Sequence, residues 1–272
     1  MIFWNFSDSG TCRLNRTIVG YSTGADVTVH QELMNGIGKA DKIWHLSQAA
    51  LVKGLSTADL QMISRLSKDR VFSRGEVIFE PGKKAESLYF LNRGSVRLSM
   101  SSDDNREKTI GILRGGDIFG LESVSHEGLS RVQAVAHEES WVSALTREQF
   151  LKIAVEHPVL SFNLIQILLH RLADARDDIK ALCFMDIQQR LVQALLKLAR
   201  THGQKLVNQQ HMVKLSLRLS HDYLAALIAS NRPYLSNIMS SFKKQGWIAY
   251  RRSHLLINVE ALKALEGRLP ID

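Results

Sequence analysis

A row of polar and basic side chains in residues 232–243 has the chemistry needed to read nucleic-acid bases. Guanidinium, amide and hydroxyl groups donate and accept hydrogen bonds at base edges in the major groove of DNA. Apolar residues recur between them at helical spacing, so a helix would bury an apolar stripe and expose the polar row. The row is Arg232, Tyr234, Ser236, Asn237, Ser240, Ser241 and Lys243, and the stripe is Leu235, Ile238, Met239 and Phe242. We interpret the row as the face of a recognition helix; the alternative is a helical hairpin whose polar face contacts only solvent.

Two short helices joined by a tight turn are predicted to position this row. Ser220 and Asn231 stand where the N-cap of each helix would lie. Asp222 falls in the first turn of the first helix, where the helix dipole favours a negative charge. Pro233 lies at the start of the second helix, where its missing N–H has no cost. The pattern predicts a helix-turn-helix.

A basic turn follows this unit. Two predicted strands, Trp247–Tyr250 and Leu255–Val259, flank Arg251 and Arg252, which indicates a wing whose tip contacts phosphate; the alternative is a solvated turn. With the wing included, the candidate DNA contacts are Ser220, Asn231, Arg232, Tyr234, Ser236, Asn237, Ser240, Lys243, Arg251 and Arg252.

The net positive charge of the chain lies in the same region. Residues 184–272 contain 13 Lys and Arg against 5 Asp and Glu, which accounts for the whole net charge of +8. Residues 1–183 are balanced, with 22 of each sign. Such segregation favours a polyanionic partner such as double-stranded DNA.

Length and composition indicate the number of domains and argue against a membrane protein and an enzyme. A chain of 272 residues with 45% hydrophobic content is expected to form two domains. It contains no apolar run of about 18 residues, so we expect no membrane span. Cys12 and Cys183 lie far apart and form no ligand cluster, which favours a reduced cytoplasmic setting. The sequence shows no nucleophile–base pair and no metal-ligand spacing, so we do not expect an enzyme.

Residues 71–145 change to a period of two, punctuated by glycine-containing turns, which predicts an antiparallel β sandwich or roll. The candidate strands are Val71–Phe72, Glu76–Glu80, Ser87–Leu91, Ser95–Ser101, Lys108–Leu113, Arg131–His137 and Ser140–Leu145. Before them, Ser56 is placed to cap a short helix that turns Leu60 and Ile63 inward.

Three motifs in this region are similar to the cyclic-nucleotide-binding β-roll: Gly75–Gly82, Ser87–Arg97 and Gly116–Gly120. Together with the helix-turn-helix, they make the chain resemble the Crp/Fnr family of bacterial transcription regulators over about residues 50–262. The resemblance implies an α+β fold with an N-terminal antiparallel β-roll of the jelly-roll type, a long dimerisation helix and a C-terminal winged helix-turn-helix. The expected domains are an N-terminal extension (1–45), a sensor domain (46–157), the long helix (158–183) and a DNA-binding domain (184–272).

The same resemblance places a candidate effector site in the loop 120–132 and on the long helix. Arg131 stands where the family has its phosphate-binding arginine, but Leu121 replaces the ribose-binding glutamate, with Glu122 one place later. Val132 replaces the phosphate-binding serine. The candidate residues are Gly120, Leu121, Glu122, Arg131, Val132, Ala175 and Arg176. These departures argue against cyclic AMP; either an unknown small effector binds here, or Arg131 only pairs with Glu122 or a neighbour.

The long helix carries apolar residues in alternating steps of three and four, the rhythm of a two-stranded coiled coil. They are Ile165, Leu168, Leu172, Ala175, Ile179 and Leu182, and between them runs a predicted polar face of Arg171, Asp174, Arg176, Asp177, Asp178 and Lys180. The spacing favours a parallel homodimer over a helix that packs only on its own domain. Such a dimer would place two recognition helices about 34 Å apart on a palindromic site.

Several further expectations depend on the resemblance alone. In activators of the family, the surface corresponding to residues 201–215 can contact RNA polymerase. The family's two other common base-reading positions hold Pro233 and Asn237 here, which predicts an unusual half-site. The alternative function is a cyclic-nucleotide-binding signalling module whose C-terminal domain contacts protein, which the clustered charge disfavours.

The N-terminal extension gives little signal. Thr17–Tyr21 and Val27–Val29 are candidate short strands, and glycines interrupt any longer period. We expect partial disorder here, or a working start near Met34.

Overall fold

The computed structural model describes residues 39–102, 107–125, 128–206, 209–251 and 253–266. The described part has the predicted α+β architecture: two four-stranded antiparallel sheets, a long helix, and a C-terminal helical domain with a third four-stranded sheet. The predicted strands Thr17–Tyr21 and Val27–Val29 lie outside the described residues.

The two N-terminal sheets form the β-roll. One sheet has the order β1 (Lys68–Phe72), β8 (Ser140–Thr146), β3 (Ser87–Arg93) and β6 (Ile118–Phe119). The other has the order β2 (Val77–Phe79), β7 (Gln133–Ala136), β4 (Ser95–Ser101) and β5 (Glu107–Arg114). All seven predicted strands are confirmed, and the two-residue β6 is an addition.

Inside the roll, strand β7 buries alternate side chains, whereas the central strands β3 and β8 bury runs of three and four consecutive residues. Phe72, Leu91, Val96 and Phe119 are at most 3% exposed and form the centre of this core. The tight β3–β4 turn needs Gly94, because its φ is +90° and a Cβ there would lie 2.4 Å from the carbonyl oxygen of Glu139.

A small helical layer covers one end of the roll: α1 (Lys39–Ser47), a 3₁₀ turn (Ala50–Val52) and α2 (Thr57–Leu66). The predicted cap of α2 is confirmed, since Ser56 and the side chain of Asp59 form a reciprocal capping box. Helix α1 was not predicted, and it crosses the expected domain boundary after residue 45.

The burial of Lys42 explains why the hydrophobic pattern of the sequence did not predict α1. Its ammonium group is buried and lies 3.0 Å from a carboxylate oxygen of Asp69, on β1. It also donates to the carbonyl oxygens of Ser64 and Ser67, at 2.6 and 3.0 Å. A lysine counts as polar in any hydrophobic pattern, so only the folded contact reveals it as an inward-facing residue.

Helix α3 (Arg147–Glu156) leads into the long helix α4 (Pro158–Phe184), which begins at a proline as predicted. Leu160 and Ala181 are buried on its inner side, while the other side is rich in exposed apolar residues. No single helix in the described ranges is long and apolar enough to cross a membrane; α3 and α4 reach the criteria only when joined, across a bend of 116°.

The C-terminal domain begins with α5 (Ile187–His202) and the hairpin β9 (Gly203–Leu206) and β10 (Gln209–Leu215). The helix-turn-helix follows as α6 (His221–Leu227) and α7 (Arg232–Lys244), then the wing strands β11 (Ile248–Arg251) and β12 (His254–Asn258), and α8 (Val259–Glu266). Its sheet has the order β11-β12-β10-β9. The predicted helix-turn-helix and wing are therefore confirmed.

The β-roll contacts the C-terminal domain through β5 and the residue after β7. The ammonium group of Lys108 donates to the carbonyl oxygen of Leu227, at the end of α6. Nε2 of His137 lies 2.9 Å from the carbonyl oxygen of Arg218, so Nε2 must carry the hydrogen. Ile112 of β5 belongs to the same apolar cluster as the helix-turn-helix core. The roll thus holds backbone groups of the C-terminal domain directly.

His202, at the end of α5, lies in this contact region. The guanidinium of Arg114 donates to the carbonyl oxygen of the preceding residue, Thr201. Nδ1 of His202 is 2.7 Å from the Thr201 hydroxyl, and Nε2 is buried without a hydrogen-bond partner among the described residues. Burial, assisted by the nearby charge of Arg114, lowers the pKa of His202 to about 4.

We predict that His202 makes the fold sensitive to mild acid. The pKa in the folded chain is below the ordinary value near 6.5, so only the unfolded chain binds the proton as the pH falls. The free energy of unfolding should therefore fall by about 3 kcal/mol between pH 6.5 and pH 4 from this residue, and be unaffected by it above pH 7. Urea unfolding of wild type and His202→Gln across this range measures the difference. Exposed His170, replaced in the same way, is the control, and equal losses in wild type and His202→Gln would contradict the prediction.

Candidate DNA-binding surface and effector site

The two faces of α7 separate as the sequence predicts. Leu235, Ile238, Met239 and Phe242 are at most 9% exposed and form part of the domain core. The opposite face is open to solvent, apart from Ser236, which is half-buried; its exposed members are Arg232, Tyr234, Asn237, Ser240, Ser241 and Lys243. A surface of this composition offers several donors and acceptors along one helix, as major-groove reading requires.

Ser220 and Asn231 cap the two helices. The hydroxyl oxygen of Ser220 accepts from the N–H of Tyr223 at 3.1 Å, and the amide oxygen of Asn231 accepts from the N–H of Tyr234 at 2.9 Å. Their oxygens therefore serve the helix starts, and any contact with DNA would use mainly their hydrogens. Ala229 makes the intervening turn in the left-handed region, with φ of 52°.

Arg232, the first residue of α7, pairs with Asp222 in the first turn of α6, with 3.3 Å between nitrogen and oxygen. Both side chains are 65% exposed, so this ion pair contributes little to stability. The pair leaves the guanidinium exposed.

His221 joins the recognition helix to the wing. Its Nδ1 lies 2.9 Å from the hydroxyl oxygen of Ser236, and its Nε2 lies 3.2 Å from the hydroxyl of Tyr250 on β11. Sequence reasoning missed both His221 and Tyr250. The three residues are 15 and 29 positions apart, and no periodicity relates them, so only the fold could show the cluster.

The wing presents Arg251 exposed at the end of β11, opposite His254 in the strand register. Arg252 lies outside the described residues. Lys243 and Lys244 add positive charge at the end of α7. The described basic groups therefore lie on the recognition helix and the wing that follows it.

The candidate effector loop starts from a constrained glycine. Gly120 has φ of +70°, and a Cβ there would lie 2.7 Å from both the carbonyl oxygen of Ser87 and a ring carbon of Tyr89. A 3₁₀ turn, Leu121–Val124, follows. Leu121 packs against the apolar cluster beneath the roll, so its side chain contributes to the core at the place where the family resemblance puts a carboxylate.

The sequence left open an ion pair between Arg131 and Glu122, and the described part of the chain does not contain that pair. Arg131 is exposed, and among the described residues no ion pair joins it to Glu122. Glu122 instead lies near Arg171 of the long helix; burial lowers the pKa of Arg171, and the charges of Asp117 and Glu122 oppose that shift. Ala175 and Arg176 are exposed on α4, and no hydrogen bond or ion pair links them to the described residues of the loop.

Arg171 corrects the predicted polar face of the long helix. Its guanidinium points towards the roll and donates to the carbonyl oxygen of Ile118, beside the carboxylate of Asp117. Burial raises the pKa of Asp117, against the opposing effects of its hydrogen bond to the N–H of Arg114 and of nearby guanidinium groups. A cavity of about 200 Å³ lies here, between Gly116–Ile118 and Arg171. Arg171 therefore anchors α4 to its own domain.

A metal centre has no support in the described ranges, because no group of three or more His, Cys, Asp or Glu side chains comes together there. An aromatic stack of Phe79, Tyr89 and Phe119 fills part of the roll interior, with ring centroids 5.0 to 6.0 Å apart.

Known proteins match both halves of the chain. Residues 69–157 match the cyclic nucleotide-binding domain family, and residues 189–266 match the Crp-like helix-turn-helix domain family. The chain is 30% identical over 196 residues to the cyclic AMP receptor protein of Thermus thermophilus, covering 72% of this chain and 86% of that protein. It is 31% identical over 189 residues to the global nitrogen regulator of a Synechocystis species, covering 69% and 83%.

A solved structure agrees in fold. The structure of a CooA mutant from Carboxydothermus hydrogenoformans superposes with a TM-score of 0.64 at 23% identity, and covers 79% of this chain and 92% of that one. At this identity the likeness speaks for the fold alone. The two domain matches and the relatives at 30% identity or above show that the chain belongs to the Crp/Fnr family. It is a DNA-binding transcription regulator and not an enzyme, in which a cyclic-nucleotide-binding-type effector domain precedes a Crp-like helix-turn-helix.

Proposed function

We propose that the protein acts as a homodimer that reads a two-fold symmetric DNA site in the cytoplasm under the control of a small effector. The observation that carries this proposal is the apolar face of α4. The large side chains at coiled-coil spacing are between 43% and 60% exposed in the single chain. These residues are Ile165, Leu168, Leu172, Ile179 and Leu182. Ala175 is exposed in the same series.

A second copy of α4 would cover this face. Burying an exposed aliphatic side chain contributes about 1.5–3 kcal/mol, so several such residues from each helix give a strong driving force. Arg171 lies beside this series, three residues after Leu168 and four before Ala175, and its bond to the roll leaves the apolar side chains exposed. A parallel pair also places the small Ala175 side chains against each other, which allows close approach.

Dimerisation gives the DNA contacts their specificity. One recognition helix offers too few base contacts to single out a site in a genome, whereas two related helices read two half-sites. Arg232 suits guanine and Asn237 suits adenine, while Pro233 has no side-chain donor or acceptor. The half-site should therefore differ from those of relatives that have polar residues at each of these positions.

The effector is inferred to be a small molecule other than cyclic AMP. The match to the cyclic nucleotide-binding domain family supports a small ligand in the roll, and relatives of the chain include a protein named for cyclic AMP and another named for nitrogen regulation. In this chain Leu121 packs into the core and Val132 has no side-chain donor, so neither provides a polar group for a cyclic nucleotide. Arg131 is exposed and provides a cation for an anionic group.

Coupling between effector and DNA would pass through the contact between β5 and α6. Lys108 and His137 bond to backbone carbonyls of the DNA-binding domain, and a ligand that moves these strands changes where those bonds can form. An effector that binds one arrangement better would shift the population towards it. The surface of the β9–β10 hairpin is the proposed contact with RNA polymerase.

The second candidate function is a signalling module whose C-terminal domain contacts protein. The concentration of the whole net charge, +8, in residues 184–272 and the exposed Arg251 favour DNA instead. Binding to random duplex should weaken steeply with rising salt, because each phosphate contact releases counterions.

We predict that Arg232 and Arg251 have separable roles. Arg232→Ala should lower affinity for a selected duplex about tenfold or more and leave affinity for random duplex nearly unchanged, because it removes a base contact. Arg251→Ala should weaken both to the same extent and reduce the salt slope by about one. Fluorescence anisotropy at several salt concentrations measures both. Equal losses on both duplexes for both variants would contradict this division.

We predict that Leu168→Asp separates the dimer, since it places a charge in the centre of the apolar face. Sedimentation velocity should show a monomer, and affinity for a palindromic site should fall at least tenfold. Val155→Asp is the matched control, because Val155 is 82% exposed on α3 and outside the coiled-coil series. A Leu168→Asp protein that still sediments as a dimer would exclude α4 as the interface.

We predict that cyclic AMP does not bind with physiological affinity. Isothermal titration of the wild-type protein should give no binding heat at micromolar concentrations. The variant Leu121→Glu with Val132→Ser should gain measurable affinity, because it restores a ribose acceptor and a phosphate donor. Tight binding of cyclic AMP by the wild type would show that the two replaced positions do not decide the ligand.

A further inference from the structure

His221, Ser236 and Tyr250 form a hydrogen-bonded cluster that includes one of the candidate base-reading side chains, Ser236. His221 is the first residue of α6, directly after the cap Ser220, and it is half-buried between α7 and the wing. Its two ring nitrogens point to hydroxyls on two different elements, at 2.9 Å to Ser236 and 3.2 Å to Tyr250. One imidazole on α6 therefore contacts both α7 and β11.

The imidazole also fixes what Ser236 can offer to a base. A neutral ring has one N–H donor and one bare acceptor nitrogen. If Nδ1 accepts, the hydroxyl hydrogen of Ser236 is used by the ring, and its oxygen can accept from adenine N6 or cytosine N4. If Nδ1 donates, that hydrogen is available for an acceptor such as guanine N7 or thymine O4. In a neutral ring the two bonds are linked: Nδ1 accepts when Nε2 donates to the Tyr250 oxygen, and Nδ1 donates when Nε2 accepts from the Tyr250 hydroxyl.

Asp222 contacts Arg232 on α7, as its neighbour His221 contacts Ser236. These neighbours in the first turn of α6 each contact one side chain on the outer face of α7, at 3.3 Å and 2.9 Å respectively. The first turn of α6 can therefore orient two of the candidate base-reading side chains, Arg232 and Ser236. The sequence pattern assigned Asp222 only a role at the helix dipole.

We propose that His221 is a specificity-determining positioning residue that orients the Ser236 hydroxyl for base reading and holds the wing in register through Tyr250. The inference rests on the proposed sequence-specific recognition of DNA. It differs from a direct phosphate contact by His221, which would add affinity on every sequence and would not depend on Tyr250.

The test is a set of variants measured on a duplex selected by the wild-type protein and on random duplex. His221→Leu keeps the side-chain bulk and removes both nitrogens, and it should lower the ratio of selected to random affinity about tenfold. His221→Asn places an amide nitrogen near the position of Nδ1 but has no atom at the position of Nε2, so it should lower the ratio only about threefold. Thermal unfolding of each variant verifies that the domain is folded.

Coupling to the wing is tested by Tyr250→Phe, which removes only the hydroxyl. Alone, it should lower the ratio about threefold, the loss expected for one hydrogen bond. In the His221→Leu background it should have no further effect, because the bond is already absent. A repeated selection with His221→Leu should change the preferred base at the position that Ser236 contacts.

The outcomes separate this inference from the proposed function. If the wild type selects a consensus but the two substitutions act independently, or if His221→Leu weakens binding on all duplexes and reduces the salt slope, the positioning role is wrong and sequence recognition stands. If the wild type selects no consensus, both are wrong, since there is then no base preference for His221 to set.

Discussion

The long helix α4 has two faces with opposite requirements, and the rest of the structure depends on how they are satisfied. Its inner face is fixed to the roll by Leu160 and by the bond from Arg171 to the carbonyl oxygen of Ile118. Its outer face keeps large apolar side chains in contact with water. A single chain cannot bury both faces, because the roll occupies only one side. The helix therefore connects the effector domain to whatever covers the outer face, and we propose that this is a second copy of the chain.

The DNA-binding domain is held by a different kind of contact. Lys108, Arg114 and His137 of the roll bond to backbone carbonyl oxygens, and Ile112 enters the apolar cluster of the helix-turn-helix. Hydrogen bonds to carbonyl groups depend on the position and direction of a whole helix end. Small movements of β5 would consequently change how well the domain docks, which supports control by a ligand in the roll.

Much of this architecture could be predicted from sequence because local rules govern it. Period-two strands between glycine turns, the caps Ser56, Ser220 and Asn231, and the apolar stripe of α7 all depend on neighbours within a few residues. Three failures share one cause, which is a polar side chain whose partner is distant in sequence. Lys42 is buried against Asp69, Arg171 faces the roll, and His221 meets Tyr250, 29 residues away. Patterns of hydrophobicity classify all three as solvent-facing, and only the fold brings their partners within reach.

We propose that this chain reads DNA with two identical recognition helices related by a two-fold axis. Selection of bound sequences from a random duplex pool by the purified full-length protein tests it most directly. We expect a two-fold symmetric consensus with half-site centres about 10 base pairs apart, the spacing of successive major grooves on one side of the duplex. Enrichment of a single asymmetric element, or no enrichment above random sequence, would contradict it.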